Sequence, residues 1–185
     1  MTKFNGNFCS IDASTTSLAY AIFSNGELKD CGKILFNGVT VYDKIKDAVE
    51  KVFIVFNPIE IDFVVIERSI FLNSPKTMSE LSMMQGAIMT LLASAGVGNC
   101  FFVPPITWQN FIGNKALTKE EKLKIRNENP DRSSSWYKTF ERNYRKLRTI
   151  RFVNINYDLD IDDNDMADAI GIGHYVINNV EKVGG

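Results

Sequence analysis

Two short apolar runs open the chain, FCSID at 8–12 and LAYAIF at 18–23, joined by the small and hydroxylated stretch ASTTS. Their length and their aliphatic and aromatic content predict strands, and Asn25-Gly26 supplies a hairpin turn behind the second. Residues 28–36 predict a third strand, weakened by Gly32. From 42 to 56 the spacing turns helical: Ile45, Ala48, Val49, Val52 and Phe53 form one stripe, and Pro58 stops it. IDFVVIE at 61–67 has the composition of a buried strand and ends on Glu67. A second helix is predicted over 76–95, closed by Gly96. Its apolar residues (among them Met78, Leu81, Met83, Met84, Ile88 and Leu92) cover more than one stripe, so it has a second contact besides the sheet, a partner subunit being one candidate. CFFVPP predicts a fifth strand stopped by two prolines. The stretch 107–156 leans to helix but is irregular, with a mobile loop at 129–135, and 161–180 predicts a last helix. Three meander strands followed by crossover units give an α/β domain: a mixed five-stranded sheet in the order βββαβαβα, with helices on both faces.

At 185 residues, 45% apolar and 23% charged, the chain is expected to form a single domain over 1–185 with a substantial core. No repeat, signal-peptide layout or apolar run of membrane-spanning length is found, so a cytoplasmic protein is expected. Cys9, Cys31 and Cys100 are scattered along predicted strands and read as reduced thiols. The net charge of −1 hides an asymmetry: 107–151 holds twelve Lys or Arg against five Asp or Glu, or +7, and the rest of the chain carries −8. A basic block on an acidic body points to a polyanion bound at one surface. The same block holds Trp108, Phe111, Trp136, Tyr137, Phe140 and Tyr144, suited either to base or sugar packing or to a small satellite core.

Six aspartates fall between Asp158 and Asp168. Helix capping accounts for Asp162 or Asp163, but not for Asp168, about a turn further in. Asp165 and Asp168 share one helix face. A calcium loop is excluded, because Asp163 and Ala169 stand where it needs glycine and glutamate. In this element order the first and fourth strands are neighbours and the last helix crosses them, which gathers Asp12, Glu67, Asp165 and Asp168. Isolated buried anions would be costly, whereas oxygen ligands around Mg²⁺ or Mn²⁺, two ions per site, are a stable solution. His174, nine residues past Asp165, falls on the opposite helix face, where a structural or surface role is expected. Ser14, Thr15 and Thr16 have no accompanying base and read as turn caps.

IDASTTSLAYAIF, VVIERSIF and DMADAIGIGHY, in this order, resemble the three acidic motifs of the RuvC family of Holliday-junction resolvases, within the ribonuclease-H-like superfamily. LSMMQGAI is similar to that family's dimer helix. The resemblance runs nearly end to end and implies a metal-dependent endonuclease, a homodimer, that resolves four-way DNA junctions. It implies Asp12, Glu67, Asp165 and Asp168 as metal ligands. It also implies an assisting lysine in the basic segment, for which Lys115, Lys119 and Lys122 are candidates, with Lys119 and Lys122 preferred. Phosphate contacts are expected from Lys115, Lys119, Lys122, Lys124, Arg126, Arg142, Arg145, Lys146 and Arg148. A junction-opening aromatic would be Phe71, four residues past Glu67, with Ile70 at three. The chain departs from the family where Ala13-Ser14 replaces its Pro-Gly, where Ala19 and Ala21 replace its hairpin glycines, and in the longer basic segment. Those departures resemble a phage-type member acting in a bacterial host cell.

Two other classes compete. One is a single-lobe, phosphate-binding protein like the actin and sugar-kinase ATPases, which also place an Asp and small hydroxyl residues in a first hairpin; those proteins need two such lobes, this chain has room for one, and its D-x-x-D helix counts against that reading. A catalytically inactive binder of branched DNA would gain nothing from an acidic pit facing phosphates.

Overall fold

The computed structural model describes residues 6–56, 60–69, 74–179 and 181. Strand β1 (Asn7–Ala13) pairs antiparallel with β2 (Ser17–Ser24), which pairs antiparallel with β3 (Glu27–Leu35). After α1 (Val41–Phe56), β4 (Phe63–Glu67) returns parallel to β1. After α2 (Pro75–Ser94), β5 (Asn99–Val103) adds parallel to β4. The sheet order is β3-β2-β1-β4-β5, so the expected neighbourhood of the first and fourth strands is observed.

Alternation along β1 and β4 splits the core into two layers. Cys9, Ile11, Val64 and Ile66 face α1 and α2, where Ala48, Val52, Met84, Ile88 and Leu92 meet them. Phe8 and Val65 face the other side, against Trp108, Val153, Ala167, Ile170 and Val176. By the same parity Asp12 and Glu67 belong to the second layer.

The region expected to be irregular is three helices: α3 (Pro105–Phe111), α4 (Lys119–Glu128) and α5 (Ser134–Tyr157). Each has a local start signal. Pro105 opens α3, Thr118 and Glu121 form a capping box on α4, and the Ser133 hydroxyl accepts from the Trp136 amide at 3.2 Å. Ser134 and Ser135 therefore belong to α5, not to the loop expected over 129–135. The last helix, α6 (Asn164–Asn178), starts three residues later than expected. Asp163 Oδ1 accepts from the backbone N–H of Asp165 at 2.8 Å and of Met166 at 3.0 Å, and that cap fixes the start.

Helix α6 is buried nearly all round, between the sheet and α3 and α5. Two features hold it close. Ser10, fully buried on β1, donates its hydroxyl to the Ala169 carbonyl at 2.7 Å. Gly173 leaves room for Phe23, whose ring would lie 2.0 Å from any Cβ added there. No helix among the described residues is long and apolar enough to cross a membrane.

Candidate active site

Asp12 stands near the end of β1, where the Ser14 hydroxyl caps the following turn by accepting from the amides of Thr16 and Ser17 at 3.1 and 2.9 Å. Glu67 ends β4, one strand over and on the same sheet face. Asp165 and Asp168 come from the first turns of α6, held over those strands by the Ser10 tie. All four line one open cavity of about 550 Å³. The opposite wall is basic: α5 contributes Lys138, Arg142, Arg145 and Lys146, together with Glu141 and Thr149. One wall is anionic and the other cationic, and both converge on the C-terminal ends of β1 and β4.

The electrostatics of the acidic wall follow from its confinement. Burial raises the Asp12 carboxyl well above the usual carboxylate range, with the negative charges of Glu67, Asp168 and Asp165 adding to the shift and Lys33 opposing it. Burial also raises Glu67, against the Trp108 indole N–H, which donates to Glu67 Oε2 at 2.8 Å. Asp168 is pushed up to about 7 by burial and by Glu67 and Asp165, while Thr149 and Lys146 pull it down. Burial and mutual repulsion on this wall outweigh the opposing pull of Lys33 and Lys146 at Asp12 and Asp168. The four carboxylates of the acidic wall are hard oxygen ligands of the kind that suits a divalent cation such as Mg²⁺ or Mn²⁺. Among the described residues, no group of three His, Cys, Asp or Glu side chains is arranged closely enough to hold an ion together. Lys33 instead takes Asp165, at 2.6 Å, and Asp163, at 2.8 Å.

The basic residues divide. Arg142, Arg145 and Lys146 line the cavity, as does Lys138, whereas Lys115, Lys119, Lys122, Lys124, Arg126 and Arg148 do not. Lys122 pairs with Glu141 at 3.0 Å, Lys124 lies 3.8 Å from Glu128, and Arg148 pairs with Glu121. Arg145 is held by Gln109 and by the Asn114 carbonyl, which makes it partly a strut between α3 and α5. Phe71 and Ile70 lie outside the described residues. His174 faces an aromatic nest of Phe111, Phe152 and Tyr157 and meets the Tyr157 hydroxyl at 2.9 Å, a structural position.

Three contributors have no motif to mark them: Trp108, Lys33 and Thr149. Trp108 reads in the sequence as one aromatic of a basic stretch, yet it is fully buried, and its indole touches an acid 41 residues away. Lys33 carries the one available signal, a cation at a strand position whose parity points inward. A second cavity of about 670 Å³ lies between β3 and the end of α5. Glu27, Asp30 and Asp158 line it together with Lys29, Glu27 and Lys29 pair at 2.7 Å, and none of the four expected metal ligands reaches it.

No protein-family model and no curated protein sequence matches the chain. Among solved structures, it is similar to Thermus thermophilus RuvC in complex with Holliday junction substrate, at TM-score 0.68 and 12% identity over 95% of this chain and 96% of that one. A second Thermus thermophilus RuvC structure matches at TM-score 0.65 and 13% identity, over 95% of each chain. The yeast mitochondrial Holliday junction resolvase matches at TM-score 0.51 and 10% identity, over 92% of this chain and 77% of that one. Likeness at such identities is likeness of fold: the chain has the ribonuclease-H-like fold that these resolvases share.

Proposed function

We propose that this chain is a metal-dependent endonuclease that cuts branched DNA, four-way junctions foremost, by paired phosphodiester hydrolysis in a homodimer. The observation that carries the reading is the cavity itself, in which Asp12, Glu67, Asp165 and Asp168 face a wall of Lys138, Arg142, Arg145 and Lys146. A phosphodiester laid between those walls meets cations on one side and carboxylates on the other. For a protein that only binds DNA, the acidic wall would be a pure penalty against phosphate.

Asp12, Glu67, Asp165 and Asp168 are the residues that would hold Mg²⁺ or Mn²⁺, two ions in all. Bound there, such ions would lower the pKa of an attacking water and stabilise the departing 3′ oxygen. The protein's own share is positional. Trp108 orients Glu67, Thr149 and Lys146 face Asp168, and Arg142 and Lys138 grip the phosphate backbone. The role of assisting lysine falls more naturally to Lys146, on the cavity wall, than to Lys119 or Lys122. Lys119, Lys122, Lys124 and Arg126 on α4, Arg148 on α5 and Lys115 just before α4 would extend the basic surface. The apolar excess of α2, with Met83 about half exposed, supports a second copy as the dimer partner. Two-fold symmetry would then pair the cuts.

The test is cleavage of a labelled immobile four-way junction beside a flap and a linear duplex, with and without Mg²⁺, for the wild type, Asp12→Asn and Asp168→Asn. Paired nicks that need metal and fall at least about a thousandfold in both variants, with junction binding retained, are the expected result. Tight junction binding with no cutting in any divalent metal would overturn the enzyme and leave a binder.

A further inference from the structure

We infer that Lys33 is a built-in counter-ion of the acidic cavity, one that holds Asp165 back and must release it before Asp165 takes up a divalent cation. The inference rests on the metal-dependent reading above and adds a residue that none of the acidic motifs contains.

Strand register puts Lys33 there. Asp12 on β1 is paired with Ala19 on β2, and Ala19 is paired with Lys33 on β3, so the three lie in one row across the sheet. Directly opposed residues point to the same face, and adjacent strands are about 4.8 Å apart, so the row spans roughly 10 Å. A lysine side chain can reach across most of that distance if the middle residue is small. Ala19 is small and fully buried beneath α6. The ammonium then arrives at the start of α6, with its side chain 23% exposed.

The two carboxylates that receive it are not equivalent. Asp163 is fixed, since its Oδ1 caps α6 and only its Oδ2 turns to Lys33. Asp165 has no such duty in the backbone; beyond Lys33 it meets the Asn164 amide beside it. Asp163 is therefore the anchor and Asp165 the exchangeable partner. The groups facing Lys33 are Asp163 and Asp165 from α6 and, through the field, Asp12 from β1. An ammonium with three donors among carboxylates sits where a metal ion would be attracted, and it repels one that approaches. Entry of a divalent cation at Asp165 requires the Lys33–Asp165 pair to open, which Asp163 allows by keeping the ammonium tethered.

Calorimetric titration with MnCl₂, without DNA, tests this on the wild type, Lys33→Met, Lys33→Gln and the charge-conserving Lys33→Arg. Both neutral variants should bind Mn²⁺ at least about tenfold more tightly, and Lys33→Arg should stay near the wild type. Unchanged or weaker binding in the neutral variants, with normal melting, would overturn the inference while leaving the metal reading intact. Binding in none of the four would remove the metal reading, and this inference with it. Binding only in the neutral variants would support it. Should neither neutral variant fold, the wild type decides the matter by acylation mapped by peptide mass spectrometry. Mn²⁺ should speed modification of Lys33 severalfold and leave Lys29 on the same strand unchanged; no change at Lys33 would overturn the inference.

Discussion

Trp108 carries more of the site than its place in the chain announces. Its ring fills the layer between the sheet and α6, and its N–H is the only hydrogen-bond donor the indole has. Directed at Glu67 Oε2, that donor favours the ionised carboxylate, against the burial that raises its pKa. Trp108→Phe keeps most of the packing and removes the donor. With it gone, Glu67 should hold its proton to higher pH, so the acidic limb of the cleavage pH profile should move upward. Cleavage at neutral pH should fall roughly 10- to 100-fold, as is usual when a partner of a metal ligand is lost. Stopped-assay rates across pH 5 to 9 would check both effects. A uniform drop with no movement of the limb would mean that Trp108 acts through packing alone. The backbone of α6 is shaped around the same ring: a Cβ on Gly171 would lie 2.8 Å from it.

At the scale of elements, the close seating of α6 on β1 and β2 is what brings Asp165 and Asp168 over Asp12. Gly173 is the tightest point, since Phe23 beneath it is fully buried and stacked on Phe8 at 5.0 Å, and neither ring can withdraw. Gly173→Ala should destabilise the fold by roughly 2 kcal/mol or more and lower Tm by about 5 °C or more. Gly86→Ala on α2, where an added Cβ meets nothing, should leave Tm unchanged or raise it slightly. Differential scanning calorimetry of the two variants checks the contrast. The strands and their order were legible because most are short, largely apolar runs, β3 follows a hairpin turn, and the crossover rules leave few arrangements for βββαβαβα. The start of α6 was not, because Ile161 continues the apolar pattern backward while the cap that ends it is one of six nearby aspartates. Helices α4 and α5 blurred together because cations run through both, and only a five-residue link with Asp131 at φ 63° parts them.

For the whole molecule, what could be read in the sequence was the acidic half of the cavity, because its residues end strands or recur at helical spacing. The basic half was named only within a longer set of cations, because nothing in a run of twelve says which side of a 24-residue helix meets the sheet. Core-facing Thr149 and Val153 settle it, and they turn Lys138, Arg142 and Lys146 inward with them. That placement has a measurable consequence. Cations that contact phosphate displace condensed counterions, so each steepens the fall of binding with salt. In metal-free buffer, replacing Lys138, Arg142 and Lys146 together by Gln should reduce the slope of log K against log [salt] for a four-way junction by about two to three. Replacing Lys44, Lys46 and Lys76, on the helices of the opposite layer, removes the same formal charge and should leave the slope nearly unchanged. Equal slopes for the two triple variants would mean that the junction senses only net charge and that the cavity's basic wall does not contact it.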